Sequence, residues 1–277
     1  MMEYKYRLLL VLAIVSGVYL SAIYINPHGG VITLSEMILQ LSGSRGSFVL
    51  GFSYSELASF VMRLFPTFLF ELYAGIMLYQ HFCTASIYVF SRYPYRMKWY
   101  ISEVCQLGGK VCIFNMVLLV SAIFISSGRY EVQINYAGMV LVFYHFFIHS
   151  LWVYIMALSV NLLAIYLGSS NAFVLVISSQ LVGTVLLNLI DLLVRYFDNR
   201  LSYKVFLIWN PIAHLVLGWH NSNMEMVNKV LVSPYMQTDL NNSLIMFALF
   251  GIIVTLIGSV IIKNHDLLVS DLETEVS

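Results

Sequence analysis

The stretch AGMVLVFYHFFIHSLWVYIMALSVNLLAIYL, Ala137 to Leu167, is apolar from end to end and contains no Asp, Glu, Lys or Arg. A membrane span needs about 20 mostly apolar residues, because an unpaired backbone group in hydrocarbon costs several kcal/mol and a helix pairs its own. Five other segments qualify with it, at roughly 8–25, 65–90, 111–125, 172–193 and 244–262. Alternation of polar and apolar residues over strand lengths is absent, which excludes an outer-membrane barrel. The expected fold is all-α: one domain over residues 1–277, a polytopic transmembrane bundle of six spans.

Composition agrees. Of 277 residues, 60% are hydrophobic and 10% charged, against about 45–50% and 25% in an ordinary soluble domain. Mean hydropathy is +0.84. Lys+Arg and Asp+Glu are 14 each, so net charge argues for neither nucleic acid nor an acidic substrate. Cys83, Cys105 and Cys112 have no C-x-x-C spacing and read as small packing residues. Lys5 and Arg7 before the first apolar run resemble a secretory signal, but the run is a full span long and lacks the small-residue cleavage pattern. It is read as an uncleaved first helix.

Orientation follows from Lys and Arg in the short flanks, which stay in the cytoplasm. Lys5 and Arg7 precede span one, and Arg92, Arg96, Lys98 and Lys110 lie between spans two and three. Both termini are therefore expected inside. Two outer segments are too long for turns. Thr33-Leu34-Ser35-Glu36 leading into Met37-Ile38-Leu39 predicts a short capped amphipathic helix lying on the outer surface. Residues 205–219, apolar but split at Asn210-Pro211, predict a re-entrant or interfacial hairpin containing Trp209 and His214.

Few residues carry chemistry. Gly108-Gly109-Lys110-Val111 fails as a nucleotide loop, lacking a glycine at Val104 and a hydroxyl at Val111. His145 and His149 share a helix face as two metal ligands would, but lack the glutamate of H-E-x-x-H; the plainer reading is a pair of packing histidines. Arg63 and Glu71 around Pro66, with Asp191, are expected at the outer ends of spans two and five, as a mouth or an interhelix ion pair. The same residues also suit simple interfacial anchoring. Between Ser91 and Leu107, the breaker Pro94 precedes a basic, aromatic segment with Arg92, Arg96, Lys98, Trp99 and Glu103. It predicts an interfacial helix on the cytoplasmic side, ending at Gly108-Gly109; a positive-inside anchor accounts for the same residues.

This layout resembles the membrane subunit of an ABC-2-type ATP-binding-cassette exporter, in particular the small bacterial permeases of peptide export and self-protection. The resemblance rests on six spans, the basic 92–107 segment and the broken apolar segment before span six. It implies a multi-pass protein of the bacterial cell membrane that pairs with a second copy or a second permease subunit. It also implies a separate ABC ATPase carrying ATP and Mg, with no cofactor and no enzyme activity in this chain. Arg92, Arg96, Lys98, Trp99 and Glu103 would then couple to the ATPase, and the substrate would be an amphipathic peptide or lipid. Two rival readings are an intramembrane metal enzyme built on His145 and His149, and a non-transporting immunity or scaffold protein.

Overall fold

The structure, a computed structural model, describes residues 2–27, 30–43, 54–88, 96–197, 206–231 and 238–264. Nine helices carry labels here: α1 Met2–Tyr24, α2 Leu34–Ser42, α3 Tyr54–Ala74, α4 Met77–Tyr88, α5 Arg96–Arg129, α6 Tyr136–Leu167, α7 Ser169–Phe197, α8 Glu225–Asn228 and α9 Leu240–Asn264. Among the described residues six helical stretches are long and apolar enough to cross a membrane, with α3 and α4 together supplying one, Leu57–Cys83. The protein is an all-α, multi-pass membrane bundle.

α6 is its hub. It packs against α2, α5, α7 and α9, and 61% of its span window is buried, against 22% for α9. α9 turns Leu249, Ile252, Leu256 and Val260 outward, a face that a bilayer can solvate but water cannot. Small residues set the closest approaches. A methyl group at Gly17 would overlap Ser121 and the Leu118 carbonyl of α5, and one at Gly258 would overlap the Tyr100 hydroxyl and Leu162. Hydroxyls join the helices where they meet: Ser21 and Ser126 lie 2.9 Å apart, Tyr154 and Thr255 2.7 Å apart.

One end of the bundle is capped. Strand β1, Val31–Thr33, pairs in parallel with β2, Glu131–Gln133, joining the segments that follow α1 and α5. Thr33 caps α2 by accepting from the Glu36 amide, as its sequence predicts, and Gly43 ends that helix in the left-handed region at φ 105°. Asn135 ties α2 to α6, accepting from the amides of Ser35 and Gly138.

The structure differs from the sequence-based expectation at four places. α2 does not lie on the surface: every residue but Glu36 is buried, because α6 covers one side and the 217–219 turn another. Span two begins earlier than residue 65, since α3 starts at Tyr54; its first turns are tied to α1, where the Tyr24 hydroxyl donates to Ser59 O at 3.0 Å. No separate interfacial helix ends at Gly108-Gly109; α5 runs unbroken for 34 residues. A glycine costs a helix interior only about 1 kcal/mol, too little to break one so long. Finally, residues 206–220 are a compact plug of short turns in place of a two-armed hairpin: one helical turn at 206–209, then 3-10 turns at Ala213–Leu215 and Leu217–Trp219.

Candidate functional site

Between α3 and α4 the helix breaks at Gly75 and Ile76, inside the apolar window 57–83. A break in hydrocarbon strands backbone donors and acceptors and is tolerated only where protein or a cavity satisfies them. Asn161 of α6, fully buried, does so. Its Oδ1 accepts from the amides of Leu78 at 2.8 Å and Tyr79 at 3.1 Å, and its Nδ2 donates to Ala74 O at 3.1 Å and Ala157 O at 2.8 Å. Gly75 is required by space, since a methyl group there would run into the Glu71 carbonyl and press on Val160.

One turn before the break stands Glu71, 1% exposed. It does not stand at an end of the apolar window. With α3 starting at Tyr54, it lies 14 residues from Leu57 and 12 from Cys83, the middle of the span. Nor does it meet Arg63, because eight helical residues separate the two by roughly 12 Å along the axis. Its partner is Gln180 of α7, whose Nε2 donates to Glu71 Oε1 at 2.7 Å. Glu71 Oε2 and Gln180 Oε1, both buried, have no hydrogen-bond partner among the described residues. A buried carboxylate charge costs several kcal/mol, while a hydrogen bond to a charged group returns about 1.5–3 kcal/mol. One amide is therefore not enough to hold an ion there.

Gln180 also lines a cavity of about 320 Å³ between α6, α7 and the plug, with Trp152, Met156, Gly183, Trp209 and Asn210. The Trp152 indole N–H has no acceptor. Asn210 holds the plug over this cavity, donating to Gly183 O at 2.8 Å, and its Oδ1 accepts from the Ile212 amide at 3.0 Å. Pro211 follows in the turn, and Trp209 stands 81% exposed beside it. Beyond the turn, His214 Nε2 donates to Ile208 O at 2.8 Å and His220 Nδ1 to Val216 O at 3.0 Å. Both rings then contact the buried Ser243 hydroxyl of α9 at 2.7 Å. Burial pushes both imidazoles below their usual range, His220 to about 4 with His214 adding to the effect.

On the other side of the plug, a cavity of about 50 Å³ is lined by Arg63, Thr67, Asn115, His145 and His149. The Arg63 guanidinium lies over the Tyr24 ring at 4.1 Å. His145 and His149 do face each other, ring centres 4.0 Å apart, with His145 Nδ1 and His149 Nε2 without partners. No third ligand joins them: among the described residues no group of three or more His, Cys, Asp or Glu could hold a metal.

At the uncapped end, the basic start of α5 is fastened to α4. His81 Nδ1 and Glu103 Oε2 are 3.0 Å apart, the Phe82 and Trp99 rings 5.9 Å apart, and Lys110 Nζ reaches Met77 Sδ at 3.8 Å. Trp99 is therefore engaged within the chain. Met97, Lys98 and Ile101 face outward and Arg96 is half-buried. Arg92 and Pro94 lie outside the described residues, as does the side chain of Asp191, whose backbone is in α7.

Sequence reasoning missed Asn161, Gln180 and Ser243. The available signal was polar side chains within apolar spans, which in hydrocarbon must find partners across helices. Comparison of the chain with family models, with curated proteins and with solved structures finds no match.

Proposed function

We propose that the chain is the membrane-spanning subunit of an ATP-driven exporter of the ABC-2 type. In this reading it works with a separate ATPase and with a second copy or a second permease subunit, and moves an amphipathic peptide or lipid-like substrate out of the cytoplasm. The observation that carries the reading is the interrupted helix: α3 and α4 part at mid-span beside buried polar groups and cavities, as the broken helices of transporters do.

The mechanism follows from what is fastened to what. α5 is roughly 51 Å long at 1.5 Å per residue, so it outruns a hydrocarbon core of about 30 Å and its basic start stands clear of the membrane. The positive-inside rule puts that end in the cytoplasm, in a bacterial cell membrane by the resemblance. An ATPase pressing on Met97, Lys98 and Ile101 would move α5, and through His81–Glu103 and Phe82–Trp99 would carry α4 with it. The Gly75–Ile76 break, with Asn161 holding both of its ends as a pivot, would let α4 tilt while α3 keeps its place on α7. ATP and Mg belong to the partner.

Replacing Met97, Lys98 and Ile101 together by Ser should abolish copurification of the ATPase while leaving membrane insertion intact. His81→Ala should keep the ATPase bound but uncouple its hydrolysis from transport. No ATPase with the wild-type chain would overturn the reading in favour of a scaffold or immunity protein, and undiminished association in the triple variant would overturn the docking face.

A further inference from the structure

Glu71 and Gln180 leave two atoms unused, and they are the two that a single proton would join. An ionised carboxylate offers acceptors only, so Glu71 Oε2 and the Gln180 amide oxygen would face the same buried space as two unsatisfied acceptors. A carboxylic acid has one donor and one acceptor, and a primary amide has the same complement. The Gln180 N–H bond to Glu71 Oε1 already makes half of such a couple. A proton on Oε2 makes the other half, with a small rotation of either side chain. No charged group supplies an alternative: among the described residues the Gln180 amide is the one hydrogen-bond partner of the Glu71 carboxyl. At the nearest break in the helical backbone Asn161 takes the Leu78 and Tyr79 amides, and among the described residues no backbone amide bonds Oε2.

We propose that Glu71 is a proton-binding site: its carboxyl is held as the neutral acid in a couple with the Gln180 amide, and it exchanges that proton with solvent by way of the cavity beneath the 206–220 plug. Gln180 is the element that connects the two. It touches Glu71 on one side and lines the 320 Å³ cavity on the other, which has room for several waters. Ser179 and Asn210, which line the same cavity, supply polar groups along its wall. Thr184, one turn along α7, spends its hydroxyl on Gln180 O, so it holds the backbone there and does not compete for the amide. The proton site does not rest on the ATPase reading; it exists whichever partner drives the chain.

A hydrophobic carbodiimide, dicyclohexylcarbodiimide, tests the protonation state by chemistry. The acid O–H adds across a C=N bond: the proton goes to one nitrogen and the oxygen bonds to the central carbon. The O-acylisourea then rearranges to a stable N-acylurea, with no oxidant or reductant involved. The expected result is one adduct, on the peptide containing Glu71, lost in Glu71→Gln. Because a blocked approach could hide a protonated acid from the reagent, infrared difference spectra of wild type against Glu71→Gln supply the deciding measurement. A carboxylic-acid C=O band in the wild type supports the proposal, and a carboxylate pair of bands overturns it whatever the labelling shows. Transfer to deuterated water should shift that band within minutes, and Trp209→Ala, which opens the cavity mouth, should hasten the shift. A band that stays put through prolonged exchange overturns the route through the cavity.

Discussion

Asn161 and Glu71 sit on facing helices about one turn from the same break, both buried in the middle of an apolar bundle, and they differ in one respect. Asn161 spends both ends of its amide on four hydrogen bonds. Glu71 and its partner Gln180 make one bond and leave an oxygen idle on each. A buried polar group that is fully used is structure, since removing it exposes every group it served. One that is partly used is a place where something can still be added. The plug histidines fall between: each ring nitrogen has a neighbour, but the neighbours cannot all be served at once.

The comparison can be broken most directly at Asn161. Asn161→Leu strips acceptors from Leu78 and Tyr79 and the donor from Ala74, and at about 1–3 kcal/mol per orphaned group the loss should be about 3–9 kcal/mol in unfolding by SDS or heat. A loss below that range would mean that the break is held by something else. Next comes acid. The plug histidines titrate below their unfolded value of 6.5, His220 near 4, so their stabilisation is intact above pH 6.5. It should drain as pH falls from 6.5 towards 4, by up to about 3 kcal/mol. The His214→Asn, His220→Asn double variant should flatten that part of the pH profile. The smallest effect is expected at Glu71. Glu71→Gln keeps an amide pair and should change stability by less than about 1 kcal/mol, although it removes the proton site. A large loss would class Glu71 with Asn161.

The six crossings were legible because length and hydropathy decide a span almost alone, and α6 ends at Leu167 as the sequence predicts. What escaped were the properties set by neighbours. Ser55 to Arg63 read as part of an outer segment, yet all of it lies in the first turns of α3, which are tied to α1. That shift of register puts Glu71 near the middle of the 57–83 window. The break at Gly75 was silent because Ala74, Gly75, Ile76 and Met77 are all compatible with a helix; the clue lay 87 residues beyond Ala74, in a lone asparagine of another span. The Thr33 cap was readable because capping is local, whereas the burial of α2 depends on the plug, far along the chain.

The plug fastening has an arithmetic of its own. Its four contacts, two to carbonyls and two to Ser243, ask for four hydrogens, but two neutral imidazoles and one hydroxyl own three. With each ring's N–H spent on a carbonyl, the Ser243 hydroxyl can serve His214 or His220 and never both. The latch is therefore two nearly equivalent states, alternating on the rotation of one O–H bond, and at every instant one histidine is loosely held.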